Sequence, residues 1–394
     1  MKFLALKSRF KARHGERPLA WAQLSHQKVR LLVALGGITF ANVLIFMQLG
    51  FRSLFTEGAT ALPESIAGDL FLVNPSTRFI GARGFDRIRL YQAASVRGVA
   101  NSTPLYIEDG VWAYSQENIS FQARIYAFNP KQQVFQIPEV TQQAAKLNLP
   151  GSVLFDRLSR SSFGPIPQQV AERGYATAFL NQRRIAVVGL FNMGNSFFIG
   201  EGNVIMSEAN YRDLFGEEAL KRVGVGILTL EPGADIAAVK AGIQATVPGV
   251  EVLTHAELIA KELKFQESTP AGPIFSFGAI MGFVIGVVVV YQVLYADISD
   301  HLSEYATLKA IGYSDLALLR VILQEALLLG ILGFAPGCVT SFFMYGLLAH
   351  ITRLELVMRL DVAVTVLILT LIMCVASAAI ASNKLRSADP ADVF

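Results

Sequence analysis

Charge is scarce in this sequence. Asp, Glu, Lys and Arg make up 16% of its 394 residues, and apolar residues 53%. Soluble chains carry about 25% charged residues, and a mean hydropathy of +0.44 points the same way. The shortage is concentrated: residues 31–51, 268–296, 326–352 and 362–383 contain no charged side chain. About 20 helical residues cross the hydrocarbon of a bilayer, so each run is long enough to span it. Cysteine is scarcer still. Cys338 and Cys374 both fall in apolar runs, so no disulfide framework supports the polar block at 52–271, which must build an ordinary core.

Several chemistries are missing too. The chain has no G-x-x-x-x-G-K-[ST], so it does not bind and split ATP through a P-loop. It has no H-E-x-x-H and no G-x-S-x-G elbow. Its histidines, His14, His26, His255, His301 and His350, stand at no metal-ligand spacing. The uncharged runs offer no carboxylate or amine for ion-coupled transport; Arg320 and Glu325 lie only where the third span begins. Asn42, Gln48 and Gln292 are the strongly polar residues inside spans, and hydrogen bonds between helices account for them. No catalytic centre, cofactor or metal site is expected.

What charge there is has a pattern. Residues 1–30 hold eight basic residues against Glu16 alone, whereas 51–272 hold 20 basic and 21 acidic. A basic segment before the first span places the N-terminus in the cytoplasm; the balanced block gives no basic surface for nucleic acid. The 297–325 turn, with two basic and five acidic residues, does not support this orientation, which rests on the N-terminus. A cleaved signal ending at Ala59-Thr60-Ala61 is the alternative. Its apolar core is usually 7–15 residues long, and this run is longer, so a retained anchor is expected. The segment 18–30 reads as an interfacial helix or a solvated tail.

The expected fold class is an α-helical membrane protein with four transmembrane helices, one plus three. A large α+β domain, periplasmic, is inserted between the first and second. Residues 1–30 form the basic cytoplasmic segment, 31–51 the first span, 52–271 the periplasmic domain and 272–296 the second span. A cytoplasmic turn follows at 297–318, then the third span at 319–349, a short periplasmic loop at 350–361, the fourth span at 362–382 and a cytoplasmic tail at 383–394. Within the domain, DLFLV (69–73), TPLYIE (103–108), ARIYAF (123–128), SVLFD (152–156), RRIAVVGLF (183–191), NVIMS (203–207) and VGILTL (225–230) read as strands. Residues 225–253 read strand, helix, strand. Thr254 to Glu257 is a capping box opening a helix that feeds the second span almost without a break.

Gly278, Gly282 and Gly286 repeat every four residues, a register that lets helix backbones approach closely; the partner is another span or a second copy of the chain. Pro336 removes a backbone hydrogen bond and is expected to bend the third span.

The segment DHLSEYATLKAIGYSDLALLRVILQEA (300–326) is unusual between two spans. Asp300 is expected to cap a helix burying Leu302, Tyr305, Leu308 and Ile311, with Gly312 just past its end. Ser314 and Asp315 then cap the next helix. Glu304, Thr307 and Lys309 would face outward, toward a soluble partner or flat on the bilayer surface. The residues alone leave both readings open.

EYATLKAIGYS followed by RVILQEALLLGILG resembles the E-x-A-x-L-[KR]-A-[IL]-G segment and following helix of FtsX-like and MacB-like ABC transporter permeases. PLAWAQLSHQKVRLLVALGGITFANVLIFMQLGF, VVYQVLYADISDHLSEYATLKAIGY and the terminal ADPADVF look more specifically like the DevC permeases of cyanobacteria. The resemblance implies a non-catalytic subunit of the inner membrane, both termini cytoplasmic, that forms a homodimer. ATP would be bound by a separate DevA-like ATPase. A DevB-like periplasmic membrane-fusion adaptor and a TolC-like outer-membrane channel would complete an exporter, with the heterocyst glycolipid as the cargo associated with DevC systems. It also implies that Asp300, Glu304, Tyr305, Thr307, Leu308, Lys309, Gly312 and Tyr313 couple to the ATPase. Asp389, Pro390 and Ala391 would match the family's cytoplasmic tail. The alternative is an FtsX-like signalling permease that controls a periplasmic partner and exports nothing.

Overall fold

The computed structural model describes residues 28–115, 120–193, 202–352 and 356–386. Most of the basic N-terminal segment and the tail residues Asp389, Pro390 and Ala391 lie outside the described residues. The chain divides into two units: residues 53–273 with 348–355, and the rest.

Helix α1 (Lys28–Ser65) supplies residues to both units. It outruns the first apolar run by 14 residues because charge ends a hydrophobic run without ending a helix. Ser53 donates to Glu57 one turn on at 3.2 Å, the spacing at which helix side chains meet.

The first unit continues with β1 (Leu70–Val73), β2 (Phe85–Asp86), α2 (Arg87–Ala94), β3 (Val99–Ala113), β4 (Phe121–Phe128) and α3 (Pro138–Gln143). It goes on through β5 (Ser152–Asp156), α4 (Ile166–Arg173), β6 (Ala176–Leu180), β7 (Arg183–Phe191), β8 (Gly202–Ser207) and α5 (Glu208–Phe215). It closes with β9 (Arg222–Val223), β10 (Val225–Leu230), α6 (Ile236–Thr246), β11 (Glu251–Thr254) and α7 (His255–Ser268). All seven strand-like runs lie in strands; β6, ATAFL, was not among them. The main sheet runs β11-β1-β10-β3-β4-β8-β5-β7-β6. Strand β6 also pairs back to β3 through Trp112↔Leu180, so β3, β4, β8, β5, β7 and β6 form a closed circuit. The 15-residue β3 serves both parts, pairing β10 through its first half and β4 through its second.

Alternation along the strands feeds two cores. Leu70, Leu72, Tyr106, Trp112, Ile125, Phe155 and Val204 join one, with Leu90 of α2, Tyr211 of α5 and Ile243 of α6. Phe71, Val73, Ile107, Tyr126, Leu154 and Ile205 join the other, with Phe135 and Leu258. Burial on both faces is why these strands read as near-continuous apolar runs. Helix starts are capped as their sequences dictate: Asp86, Ser207 and Asp235 each accept a first-turn amide. Thr254 and Glu257 form the reciprocal box on α7.

The second unit holds α8 (Ala271–Asp300), α9 (Leu302–Ala310), α10 (Asp315–Thr352) and α11 (Leu360–Arg386) with the first half of α1. Helices α1, α8, α10 and α11 are long and apolar enough to cross a membrane. Two residues separate α7 from α8: Thr269 is extended, as the residue before a proline prefers.

Candidate functional site

The α8–α10 turn is built by three backbone decisions. Helix α8 continues through Asp300, beyond the expected end of its span, and stops at His301, which leaves helical geometry. The expectation that Asp300 caps α9 is therefore corrected: it is the last residue of α8, and His301 takes the cap position without a side-chain hydrogen bond. Apolar continuity carries α8 this far, since Leu294 and Ile298 are still in the core.

Helix α9 ends in a Schellman arrangement. The Tyr313 amide donates to Leu308 O at 3.1 Å and the Gly312 amide to Lys309 O at 2.9 Å. Gly312 sits at φ +103°, a region side chains avoid. Ser314 then caps α10 by accepting the Ala317 amide at 3.3 Å. A nine-residue helix is not stable alone in water; this one is held by Leu302, Tyr305 and Leu308 against Leu294, Ile298, Leu318 and Ile322.

Two assignments change, one inward and one outward. Ile311, placed on the buried side by spacing, is 71% exposed: its amide still bonds Thr307 O at 3.1 Å, but it is the last right-handed residue before the turn at Gly312. Lys309, placed outward, forms an ion pair with Asp315 at 3.0 Å. Glu304 and Thr307 do face outward. With Ile311, Tyr313 at 52% and Leu316 at 68% exposure, they make a knob with an apolar tip and an acidic flank. That tip was missed because Leu316 opens a transmembrane helix in sequence.

Behind the knob, buried Tyr305, Glu325 and Asp297 lie at the base of the turn. Burial, then the negative charges of Glu325 and Asp297, push the Tyr305 phenol upward. His301 Nδ1 lies 3.0 Å from the Asp297 carbonyl. That hydrogen bond, with the nearby Asp297, Glu304 and Asp300 charges, raises the imidazole pKa.

The glycines of α8 face helices of their own chain. A methyl group on Gly278 would meet the Gln48 amide, one on Gly282 would lie 3.0 Å from Ile45, and one on Gly286 would strike Met373. A second set was not singled out in sequence: Gly333 and Gly337 of α10 lie against Ile38 and Asn42 of α1. Hydroxyl groups bridge the same helices. Thr370 donates to Asn42 Oδ1 at 2.7 Å, Ser377 to Val287 O at 2.8 Å and Thr39 to Gly333 O at 3.3 Å. Helix α10 continues on both sides of Pro336. Among the described residues, no three His, Cys, Asp or Glu side chains gather in a way that holds a metal ion.

Residues 276–390 match the family model described as FtsX-like permease C-terminal. The matched region takes in most of α8 and all of α9, α10 and α11, and so three of the four helices long and apolar enough to cross a membrane. No curated protein matches the chain significantly. The periplasmic region of MacB from Actinobacillus actinomycetemcomitans is 10% identical over 52% of this chain and 95% of its own, with a TM-score of 0.34. The extracellular domain of the noncanonic ABC-type transporter YknZ from Gram-positive bacteria is 12% identical, covering 48% of this chain and 100% of its own, with a TM-score of 0.32. A domain of a putative permease protein from Porphyromonas gingivalis is 11% identical over 47% and 86%, with a TM-score of 0.28. At these scores the likenesses carry no functional argument.

Proposed function

We propose that this chain is the membrane-spanning, non-catalytic subunit of an ABC exporter of the MacB and DevC type. A separate ATPase grips the α8–α10 turn, and the chain passes that movement to its sheet domain. The observation that carries the reading is the exposed knob of Glu304, Thr307, Ile311, Tyr313 and Leu316 inside the region that matches the FtsX-like family. Three large apolar side chains held out of the core on a rigid turn fit a protein pocket. Lys309 and Gly312 shape the turn, and Tyr305 and Leu308 fasten it. In the same reading the chain works as a homodimer in the inner membrane with both termini cytoplasmic, alongside a periplasmic adaptor and a TolC-like outer-membrane channel. A lipid-class cargo such as a glycolipid fits a machine of this type.

The test is affinity purification of the full chain from its native membranes after cross-linking, comparing wild type with a Glu304→Lys, Tyr313→Ala double variant. A P-loop ATPase should be recovered with wild type and at least about tenfold less with the variant, a loss of about 1.4 kcal/mol of binding. The melting temperature should stay unchanged, as surface substitutions shift stability by about 0.5 kcal/mol or less. Equal ATPase recovery from both proteins, or none from wild type, overturns the reading. Recovery of a cell-wall hydrolase in place of an adaptor would turn it toward an FtsX-like signalling role.

A further inference from the structure

The sheet unit contains one buried carboxylate that the proposed function does not use. Glu262 lies in the middle of α7, 2% exposed, and its Oε1 accepts the backbone amide of Ile80 at 2.6 Å. Ile80 belongs to the segment 74–84 that joins β1 to β2, a stretch without helix or strand of its own. Ile80 is also a core residue, 2% exposed beside Phe71 and Ile107, and Gly81 lies against Ile107 of β3; the aromatic contacts of the segment adjoin α7. Phe79 meets Phe265 of α7 with ring centroids 4.8 Å apart, and the Arg124 guanidinium lies 5.8 Å from the centre of the Phe79 ring. The side chains of Phe79 and Ile80 thus lie where α7, β4 and the segment meet.

We propose that Glu262 is a proton-operated latch. While the carboxyl is neutral the 74–84 segment stays closed over α7; ionisation strengthens the Ile80 hydrogen bond itself but puts a charge into the interior, and that cost opens the segment.

The surroundings explain why protonation decides the matter. Arg124 of β4 pairs through one terminal nitrogen with Asp109 of β3 at 2.8 Å. Lys261, the neighbouring residue on α7, is drawn to Glu251 of β11. Tyr126 of β4 is neutral and fully enclosed, β1 contributes only apolar side chains, and Arg78 and Arg83 of the segment itself are exposed. An ionised Glu262 would therefore be a buried charge without a dedicated counter-ion, which proteins avoid by neutralising the group. Burial raises its pKa from an ordinary 4.5 to about 7, against the opposing pull of the Ile80 amide, Lys261 and Arg124.

The sign follows from linkage. The closed segment binds the Glu262 proton more tightly than the open one, so opening releases a proton. The latch is fully engaged below about pH 4.5; it weakens as pH rises toward 7 and levels off above that. Between pH 6 and pH 8 the open fraction should rise by about tenfold. A periplasmic or extracellular domain meets such pH differences, so α7 and this segment would respond to them independently of any ATPase.

Hydrogen exchange of the full-length protein in detergent, corrected for the intrinsic pH dependence of exchange, tests this. In wild type the peptide spanning Ile80 should lose about tenfold of its protection between pH 6 and pH 8, while peptides from β3 and β4 do not change. In Glu262→Gln, whose amide keeps an acceptor for Ile80 but does not ionise, protection should be the same at both values. A wild-type peptide with constant protection overturns the proposal, as does an equal loss in both proteins. Should Glu262→Gln fail to fold, the wild-type series decides alone, since a purely structural Glu262 gives no segment-specific pH response.

Discussion

Two buried asparagines separate the two halves of this molecule. Asn210, in the sheet unit, gives Nδ2 to the carbonyls of Leu147, Leu149 and Ser152 at 3.0–3.2 Å and accepts the Gly151 amide at 3.0 Å. Asn42, in the membrane unit, accepts a single hydroxyl, that of Thr370. The first pins a stretch of irregular backbone whose polar groups would otherwise be buried without partners. The second joins helices whose backbone groups are already satisfied within themselves. Irregular backbone needs a side chain to complete its hydrogen bonding, whereas a membrane helix needs only close contact and an occasional polar bridge. The contrast extends to packing. The sheet unit fills its centre with large rings: Trp112 meets Phe155 with centroids 5.0 Å apart and donates its indole N–H to Phe163 O. The membrane unit removes side chains instead, at Gly282, Gly333 and Gly337.

The contrast makes graded predictions. The largest effect belongs to Asn210→Leu, which would take a side-chain partner from the Leu147 and Ser152 carbonyls and the Gly151 amide, at about 1–3 kcal/mol for each group left unpaired. Leu149 O keeps Ser152 N and Oγ. A loss of about 3–5 kcal/mol is expected, read as a lower melting temperature with exchange protection lost first around β5. If Asn210→Leu were no worse than a hydroxyl deletion in the membrane unit, the contrast would be wrong.

Next is Gly282→Leu. A methyl there already lies 3.0 Å from Ile45 and 3.3 Å from Leu44, so a full side chain forces α8 away from α1. Overpacking costs about 1–3 kcal/mol. Gly346→Leu in α10, where nothing lies within 4 Å, is the control and should leave the melting temperature in detergent unchanged. Equal effects would mean that the α1–α8 seam is not tight.

Gly312→Ala follows. Its φ of +103° is a region where non-glycine residues are strained by about 1–3 kcal/mol. The substituted position faces open space, so strain is the sole penalty. The damage should stay local, with faster exchange at Ile311–Tyr313 and an unchanged sheet unit.

How far all this could be read in sequence depends on what each feature answers to. The apolar runs and the strands SVLFD and RRIAVVGLF were legible because lipid and double-sided burial both select continuous hydrophobicity. Strand β6 was not, since Ala176 and Ala178 carry little β signal and the strand is fixed by pairing with β7 and β3. The glycines of α8 stood out by their spacing, but their facing residues on α1 and α11 lie far away in sequence, Gly286 being 87 positions from Met373. At the candidate site, local chemistry carried Gly312 and Ser314, while the exposure of Ile311 and the pairing of Lys309 with Asp315 depend on how the turn leaves α9. Glu262 gave no signal at all, because a glutamate in a capped helix reads as solvated until its neighbours are known.

The smallest effect is the most informative about the membrane unit. Thr370→Val keeps the shape of the side chain and removes the one hydroxyl that reaches Asn42, at 2.7 Å. Hydrogen bonds between membrane helices average about 0.6 kcal/mol. The same hydroxyl also bonds the Val366 carbonyl of its own helix at 2.7 Å, which is already served by the helix ladder and loses little. A drop of about 0.6 kcal/mol is therefore expected, close to the resolution of a thermal melt, so a double-mutant cycle with Asn42→Ala is the proper measurement. A coupling near 0.6 kcal/mol would place the fastening of α1 to α11 mainly in close packing. A coupling above about 2 kcal/mol would mean that Asn42 pins these helices as Asn210 pins its loop, and the distinction between the two units would fail at its sharpest point.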